Sequence, residues 1–334
     1  MTYKVYACES PSMPIDVSAL RGSLSGLAEV IPVHLPFGTP EGPEGATITK
    51  AWDQMADGDA FFVRSGDITE QLLQRCPKVK AVTVHGVGVE QFDVEACWAR
   101  GVEVTNVPGG NANAVAELAL GLMLSVARGI TKQDRRVRAG EWASCRVIGR
   151  EVSGATLGIV GFGNIGRLLL QKVLGLGMKV LAFDRYVDAA AITAAGATAA
   201  TMEEIFARAD YVSLHLPLTE ETRHVVNGPL LATMKPSAFL VNTSRGGVVD
   251  QAALYDALVA GRLAGAGLDV QDPEPPAAGN PLTKLENIVL LPHCAGSTLE
   301  CQALVARRAG EDIARVLRGE QPKHSVRGQI MSRK

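Results

Sequence analysis

The chain has 334 residues, with 33 basic and 35 acidic side chains, a formal charge of −2 and 47% hydrophobic residues. That length suits two globular domains, and the balanced charge gives no general attraction to nucleic acid or to an anionic membrane. Six cysteines (Cys8, Cys76, Cys97, Cys145, Cys294, Cys301) form no C-x-x-C pair and are too few for a disulfide scaffold, so free thiols in a reducing cytoplasm are expected.

Lys4 to Cys8 reads as a strand and follows Met1 with no charged-then-apolar leader. Pro32 to Gly45, rich in Pro and Gly, reads as a loop. Strands are expected at Ala60 to Val63, Ala81 to Val84 and Glu103 to Thr105. Helices are expected at Ile68 to Cys76, stopped by Pro77, and at Asp93 to Arg100, which opens on a capping aspartate and closes on Gly101. A long helix from Asn113 to about Arg128 is apolar nearly all round, which predicts burial. Its greasiest part, Ala114 to Ala127, is short for a membrane span and carries Glu117. From Thr156 onward, six short apolar runs alternate with helical patterns: Leu157 to Val160, Val180 to Phe183, Tyr211 to Leu214, Ala238 to Val241, Gly265 to Leu268 and Ile288 to Leu290. This alternation predicts a doubly wound parallel α/β sheet. A last helix, Ser297 to Leu317, comes after the sixth run and is free to return to the first domain, which would make that domain discontinuous. Ala189 to Ala200 is alanine-rich without further meaning.

The first of these six runs leads into Gly161-Phe162-Gly163-Asn164-Ile165-Gly166 at the mouth of a helix, and Asp184 closes the next strand. Glycines at these positions permit a tight turn, close approach of backbone to a pyrophosphate, and close helix–strand packing. A carboxylate about 20 residues on suits a ribose 2′-hydroxyl. In an open parallel sheet, ligands bind beyond the carboxyl ends of the strands. Arg245, Glu274 and His293 all follow such ends. Singly they read as a surface arginine, a loop glutamate and a structural histidine; together at one sheet edge they point to chemistry.

Five separated motifs resemble the D-isomer-specific 2-hydroxyacid dehydrogenases: Gly154 to Gly166, His215-Leu216-Pro217-Leu218-Thr219, Val241 to Asp250 through Ser244-Arg245-Gly246, Asp269-Val270 leading to Glu274-Pro275, and Pro292-His293. The resemblance implies a Rossmann-type NAD-binding domain at 104–292 and a discontinuous, flavodoxin-like α/β substrate domain at 1–103 and 293–334. It implies NAD(H)-linked oxidation of a 2-hydroxy acid or reduction of a 2-keto acid. Arg245 would bind substrate, His293 would be general acid or base, and Glu274 would orient the imidazole. Such roles suit a forked guanidinium and a carboxylate-paired imidazole.

By the same resemblance, cofactor contacts fall on Gly161, Gly163, Asn164, Ile165, Gly166, Asp184, Leu216, Pro217, Thr243, Ser244, Arg245, Asp269 and His293. Asp269 would lie near the nicotinamide amide, and Asp184 would favour NAD over NADP, although Arg185 beside it could pair with a 2′-phosphate. Arg64, His85 and Gly86 are candidate substrate contacts. Val84 and His85 stand where phosphoglycerate dehydrogenases usually carry an arginine, which removes a cation from a phosphorylated substrate. Cys294 reads as a packed residue rather than a nucleophile. A homodimer is implied, through about Asn111 to Trp142, and no metal is expected. Two other readings stay open: a non-catalytic NAD(H)-sensing binding protein on the same scaffold, and a phosphite-type dehydrogenase.

Overall fold

The computed structural model describes residues 2–143 and 146–331, so Cys145 lies outside the described residues. The chain forms two compact units, Met1–Asn111 with Ser297–Lys334, and Ala112–Gly296. Within the first, five parallel strands, β1 (Tyr3–Glu9), β2 (Ala28–His34), β3 (Ala60–Val63), β4 (Ala81–Val84) and β5 (Glu103–Thr105), lie in the order β2-β1-β3-β4-β5. That order is flavodoxin-like. β3 and β4 are buried along their whole length; β3 reads as an unbroken apolar run, and the one polar side chain of β4, Thr83, bonds Thr105 Oγ1 at 2.7 Å.

β2 departs from the expected loop at Pro32. The proline pairs with Ala7, but β2 is an edge strand, so its missing N–H breaks no inner ladder. Beyond it, Gly45–Met55 is helical rather than a continuation of the loop; Gly45 itself sits hard against Pro40, where an added Cβ would lie 1.9 Å from a carbonyl oxygen. The helix Val94–Ala99 starts on the Asp93 cap, which accepts from Ala96 N, and stops before Gly101 at φ +71.

The helix Leu299–Leu317, capped by Thr298, packs on β4 and on the helix Val17–Ser23. Buried Asp312 on this helix receives the Lys323 amide at 2.7 Å and His324 Nδ1 at 2.8 Å. The chain then reaches β5: Asn106 N donates to His324 O, and the side-chain amides of Asn106 and Gln329 bond to each other. These ties, with Val107 N on Gly86 O, hold residues 104–111 to the first unit.

The second unit holds seven parallel strands: β6 (Thr156–Val160), β7 (Lys179–Phe183), β8 (Thr198–Ala199), β9 (Tyr211–Leu214), β10 (Phe239–Asn242), β11 (Gly265–Leu268) and β12 (Ile288–Leu290). Their order, β12-β11-β10-β9-β6-β7-β8, reverses direction at β6/β9. This is the doubly wound Rossmann arrangement, with its ligand crevice at the reversal. The two-residue β8 lies in the alanine-rich stretch, which lacks the apolar pattern that marks the other strands. Two apolar clusters cover the sheet faces, one around Phe206, Leu240 and Leu254, the other around Phe162, Leu169 and Tyr211. Gly158 on β6 lets Met202–Arg208 pack directly on the strand, since a Cβ there would lie 2.3 Å from Ile205. The long apolar helix, Ala112–Arg128, buries Ala116, Ala119, Leu122 and Met123 against the sheet. Among the described residues no single helix is long and apolar enough to cross a membrane.

Asp312→Ala is expected to reduce stability by about 2 kcal/mol, because it leaves the Lys323 amide and the His324 ring without their charged acceptor. Urea unfolding would measure the loss. Hydrogen exchange should show protection falling at the Lys323 to Gln329 amides, and unchanged exchange there would contradict the latch.

Candidate active site

β6 ends at Val160, and Gly161 turns the chain at φ +100, with a would-be Cβ 2.6 Å from the His215 carbonyl oxygen. Gly163 faces open space, whereas a Cβ on Gly166 would lie 2.4 Å from Gly161 O. A side chain at Gly161 or Gly166 would therefore collide with backbone, whereas Gly163 leaves the space before it clear. The helix Asn164–Leu174 begins at Gly163, which offers no side-chain cap to its leading N–H groups. A helix mouth of this kind attracts phosphate.

Asp184, just past β7, accepts from Phe162 N at 2.7 Å and from Tyr186 N at 2.8 Å, so it braces the glycine turn. Leu216 and Pro217 follow β9, and Thr243 follows β10; the Thr243 hydroxyl is buried without a hydrogen-bond partner among the described residues. An orphaned hydroxyl, an open glycine and an uncapped helix mouth at one sheet edge fit a dinucleotide.

The three ionisable candidates lie on the loops that leave β10, β11 and β12. Asn242 shapes the first loop: its Oδ1 accepts from Ser244 N and Oγ, and its Nδ2 donates to Arg245 O at 2.9 Å. Arg245 is half-buried and donates from Nη1 to Ser244 O. Gly246 presses on the second loop, since a Cβ there would lie 1.9 Å from Gln271 O, and Gln251 Nε2 donates to Asp272 O. On that second loop Glu274 accepts from Gln271 N at 2.9 Å. Its other oxygen, Oε2, lies 2.8 Å from His293 Nδ1.

Asp269 fixes the third loop. It is fully buried, and its two oxygens accept from Cys294 N at 2.8 Å and Ala295 N at 2.9 Å, while His293 N donates to Asp269 O. The expected neighbour of a nicotinamide amide is thus also the anchor of the histidine loop, with lone pairs still left for a donor. His293 takes φ +52, a strained conformation for a residue with a Cβ.

The hydrogen bond that His293 Nδ1 donates to Glu274 raises the His293 pKa above its ordinary 6.5; burial opposes this, and the Glu274 charge adds to the rise. Burial pushes Glu274 upward, but the His293 hydrogen bond and charge, the Gln271 amide and the Arg245 charge together hold it below 4.5. The Arg245 charge lowers the pKa of both groups. The Cys294 thiol is pushed up to about 11, by burial first and Asp269 next, so it is protonated at neutral pH.

The remaining candidates lie in the first unit. The Arg64 guanidinium donates to Pro14 O and, at 3.1 Å, to Ser297 Oγ. His85 stacks on Phe62 with ring centroids 5.3 Å apart, and burial, then Arg64, push its pKa down to about 3. It is therefore neutral, with a buried Nε2 that has no partner among the described residues. Gly86 follows at φ +149, and its carbonyl accepts from Val107 N.

The model of the D-isomer specific 2-hydroxyacid dehydrogenase NAD binding domain matches residues 120–295. The chain belongs to this family. A glyoxylate reductase of Thermococcus litoralis is 40% identical over 298 residues, 87% of this chain and 88% of that protein. A D-3-phosphoglycerate dehydrogenase of Methanocaldococcus jannaschii is 38% identical over 294 residues, but the match spans only 56% of that longer relative. Among solved structures, an apo D-lactate dehydrogenase of Escherichia coli superposes with a TM-score of 0.82 at 26% identity, covering 97% of this chain and 99% of that one.

Within this family member, Asn242 and His215 lie in the matched motifs, but the sequence alone assigned neither of them a role. Asn242 sits two residues before a serine, the spacing at which an Asn side chain captures a backbone amide, and that pattern would have disclosed it. His215 is half-buried, bonds Ser213 through Nε2 at 3.0 Å and is pushed down to about 4 by desolvation of its ring, so it is a neutral wall behind Gly161. Its role depends on a long-range contact with no local signal.

The Glu274–His293 pair stabilises the fold only while both partners are charged. The raised His293 pKa contributes fully below 6.5 and is lost as pH rises through the folded value, whereas the lowered Glu274 pKa contributes above 4.5 and is lost as pH falls. Glu274→Gln should therefore destabilise most between about pH 4.5 and 6.5 and shift the His293 NMR titration midpoint downward. An unmoved midpoint would remove Glu274 as the cause.

Proposed function

We propose that the chain is an NAD-dependent D-2-hydroxyacid dehydrogenase that reduces a short, unphosphorylated 2-keto acid such as glyoxylate or hydroxypyruvate. The observation that carries this is the 2.8 Å Glu274–His293 contact beside the Arg245 loop, at the carboxyl edge of a dinucleotide sheet. Bound NADH supplies the hydride. Arg245 presents forked donors to the substrate's carboxylate and carbonyl oxygens, holding the carbonyl in place and polarising it. His293 keeps Nδ1 on Glu274, which leaves Nε2 to hand a proton to the oxygen that becomes the hydroxyl; in the reverse direction the same nitrogen accepts it. Because Glu274 raises the imidazole pKa, a protonated fraction persists at neutral pH.

The substrate class is supported by a glyoxylate reductase matching over most of both chains, and by Val84 and His85 at the place of a phosphate-pairing arginine. On the substrate side, the loop at His85 and Gly86 offers a neutral imidazole nitrogen and glycine backbone, with Arg64 as a nearby fixed charge. Asp184, pinned by two amides, supports NAD over NADP because it would repel a 2′-phosphate. A homodimer through about Asn111 to Trp142 accords with exposed Ile130, Val137 and Trp142, apolar side chains that a second copy would cover. The five described cysteines, all free thiols, accord with a cytoplasmic location.

Arg245→Ala is expected to lower kcat/KM by about 10²-fold, through both a higher KM and a lower kcat. His293→Ala should lower kcat by about 10²- to 10⁴-fold with NADH binding retained. A panel of keto acids, followed by NADH absorbance and ranked by kcat/KM, tests the substrate class. Tight NADH binding without turnover on any of them would select the NAD(H)-sensing reading instead.

A further inference from the structure

The residue after Asp184 is an arginine, and Arg185 is the side chain one would expect to welcome the 2′-phosphate of NADP. In the structure it is already engaged. Its Nη1 forms an ion pair with Glu221 Oε2, and its guanidinium lies 5.9 Å from the Tyr186 ring centroid. Glu221 belongs to the loop that leaves β9, so the pair links the loops beyond β7 and β9, the two that flank the strand carrying the glycine turn. That second loop is shaped by its own threonines: Thr222 Oγ1 donates to Pro217 O at 2.6 Å and accepts from Thr219 N at 2.8 Å, and Thr222 N donates to Thr219 Oγ1. Glu221 is therefore delivered to Arg185 by a fixed turn.

We propose that Glu221 is a specificity-positioning residue that occupies Arg185 and so withholds it from the 2′-phosphate of NADP. This rests on the proposed nucleotide site, and within it adds a second barrier to the one Asp184 provides. The two barriers differ in kind. Asp184 is immobile, because both its oxygens hold backbone amides, and it repels the extra phosphate wherever Arg185 points. Glu221 acts through Arg185: while the pair is closed, the nearby charges are two carboxylates and one satisfied guanidinium, which is the wrong sign for a phosphate dianion. Without the Glu221 charge, one carboxylate faces one available guanidinium. The side chains of Arg185 and Glu221 are 62% and 63% exposed, so water screens the pair and its effect is modest: a few-fold, not orders of magnitude.

Binding of NADPH and NADH, each titrated by nicotinamide fluorescence without a keto acid, tests the idea independently of turnover. In Glu221→Gln the ratio of Kd for NADPH to Kd for NADH should fall by about three- to tenfold at low salt, and the gain should shrink as salt is raised. In the double variant Glu221→Gln with Arg185→Met the gain should disappear. An unchanged ratio in Glu221→Gln, with NADH still bound, would overturn the inference and leave the nucleotide site standing. A gain that survives in the double variant would also overturn it, because removal of a repulsive carboxylate would then suffice. Failure of the wild type to bind either nucleotide would reject the site and the inference together.

Discussion

A buried carboxylate holds the candidate active site in place. Asp269 has no exposure to solvent, and such a charge persists only if the protein supplies hydrogen bonds to replace water. The donors are Cys294 N and Ala295 N, so the need to satisfy Asp269 dictates the path of the loop beyond β12. That path puts His293 at a positive φ, with Nδ1 on Glu274. Strain at one residue is thus maintained by two charge-assisted hydrogen bonds at its neighbours, and the imidazole direction follows from them.

The same logic of fixed loops applies on the other side of the switch in strand order. Asp184 serves the turn at Phe162, Asn242 serves the turn at Arg245, and Gly246 admits the approach of Gln271. None of these residues carries out proton transfer in the proposed reaction. They determine where side chains on three separate strand ends come to lie, and a parallel sheet aligns those ends on one edge.

Much of this was legible in the sequence because buried parallel strands write themselves as short, largely apolar segments, and ten of the twelve strands among the described residues were expected from it. β2 escaped because an edge strand tolerates Pro32, and β8 because two residues in an alanine-rich stretch carry no pattern. At the site, Gly161, Asp184, Arg245, Glu274 and His293 could be found from motif spacing, since each is tied to a strand end. The double duty of Asp269, the wall formed by His215 and the Arg185–Glu221 pair could not: each depends on which loop lies next to which, and strand order is not written locally.

The return of the chain at Ser297 also sets an order of assembly. The Rossmann unit is contiguous, so all seven of its strands have been synthesised before Leu299–Leu317 exists. The flavodoxin-like sheet is made first, yet it lacks the helix that packs on β4 until Leu299–Leu317 has been synthesised. Such a gap between a sheet and its covering helix leaves apolar surface open for a time, and transient surface of that kind favours aggregation.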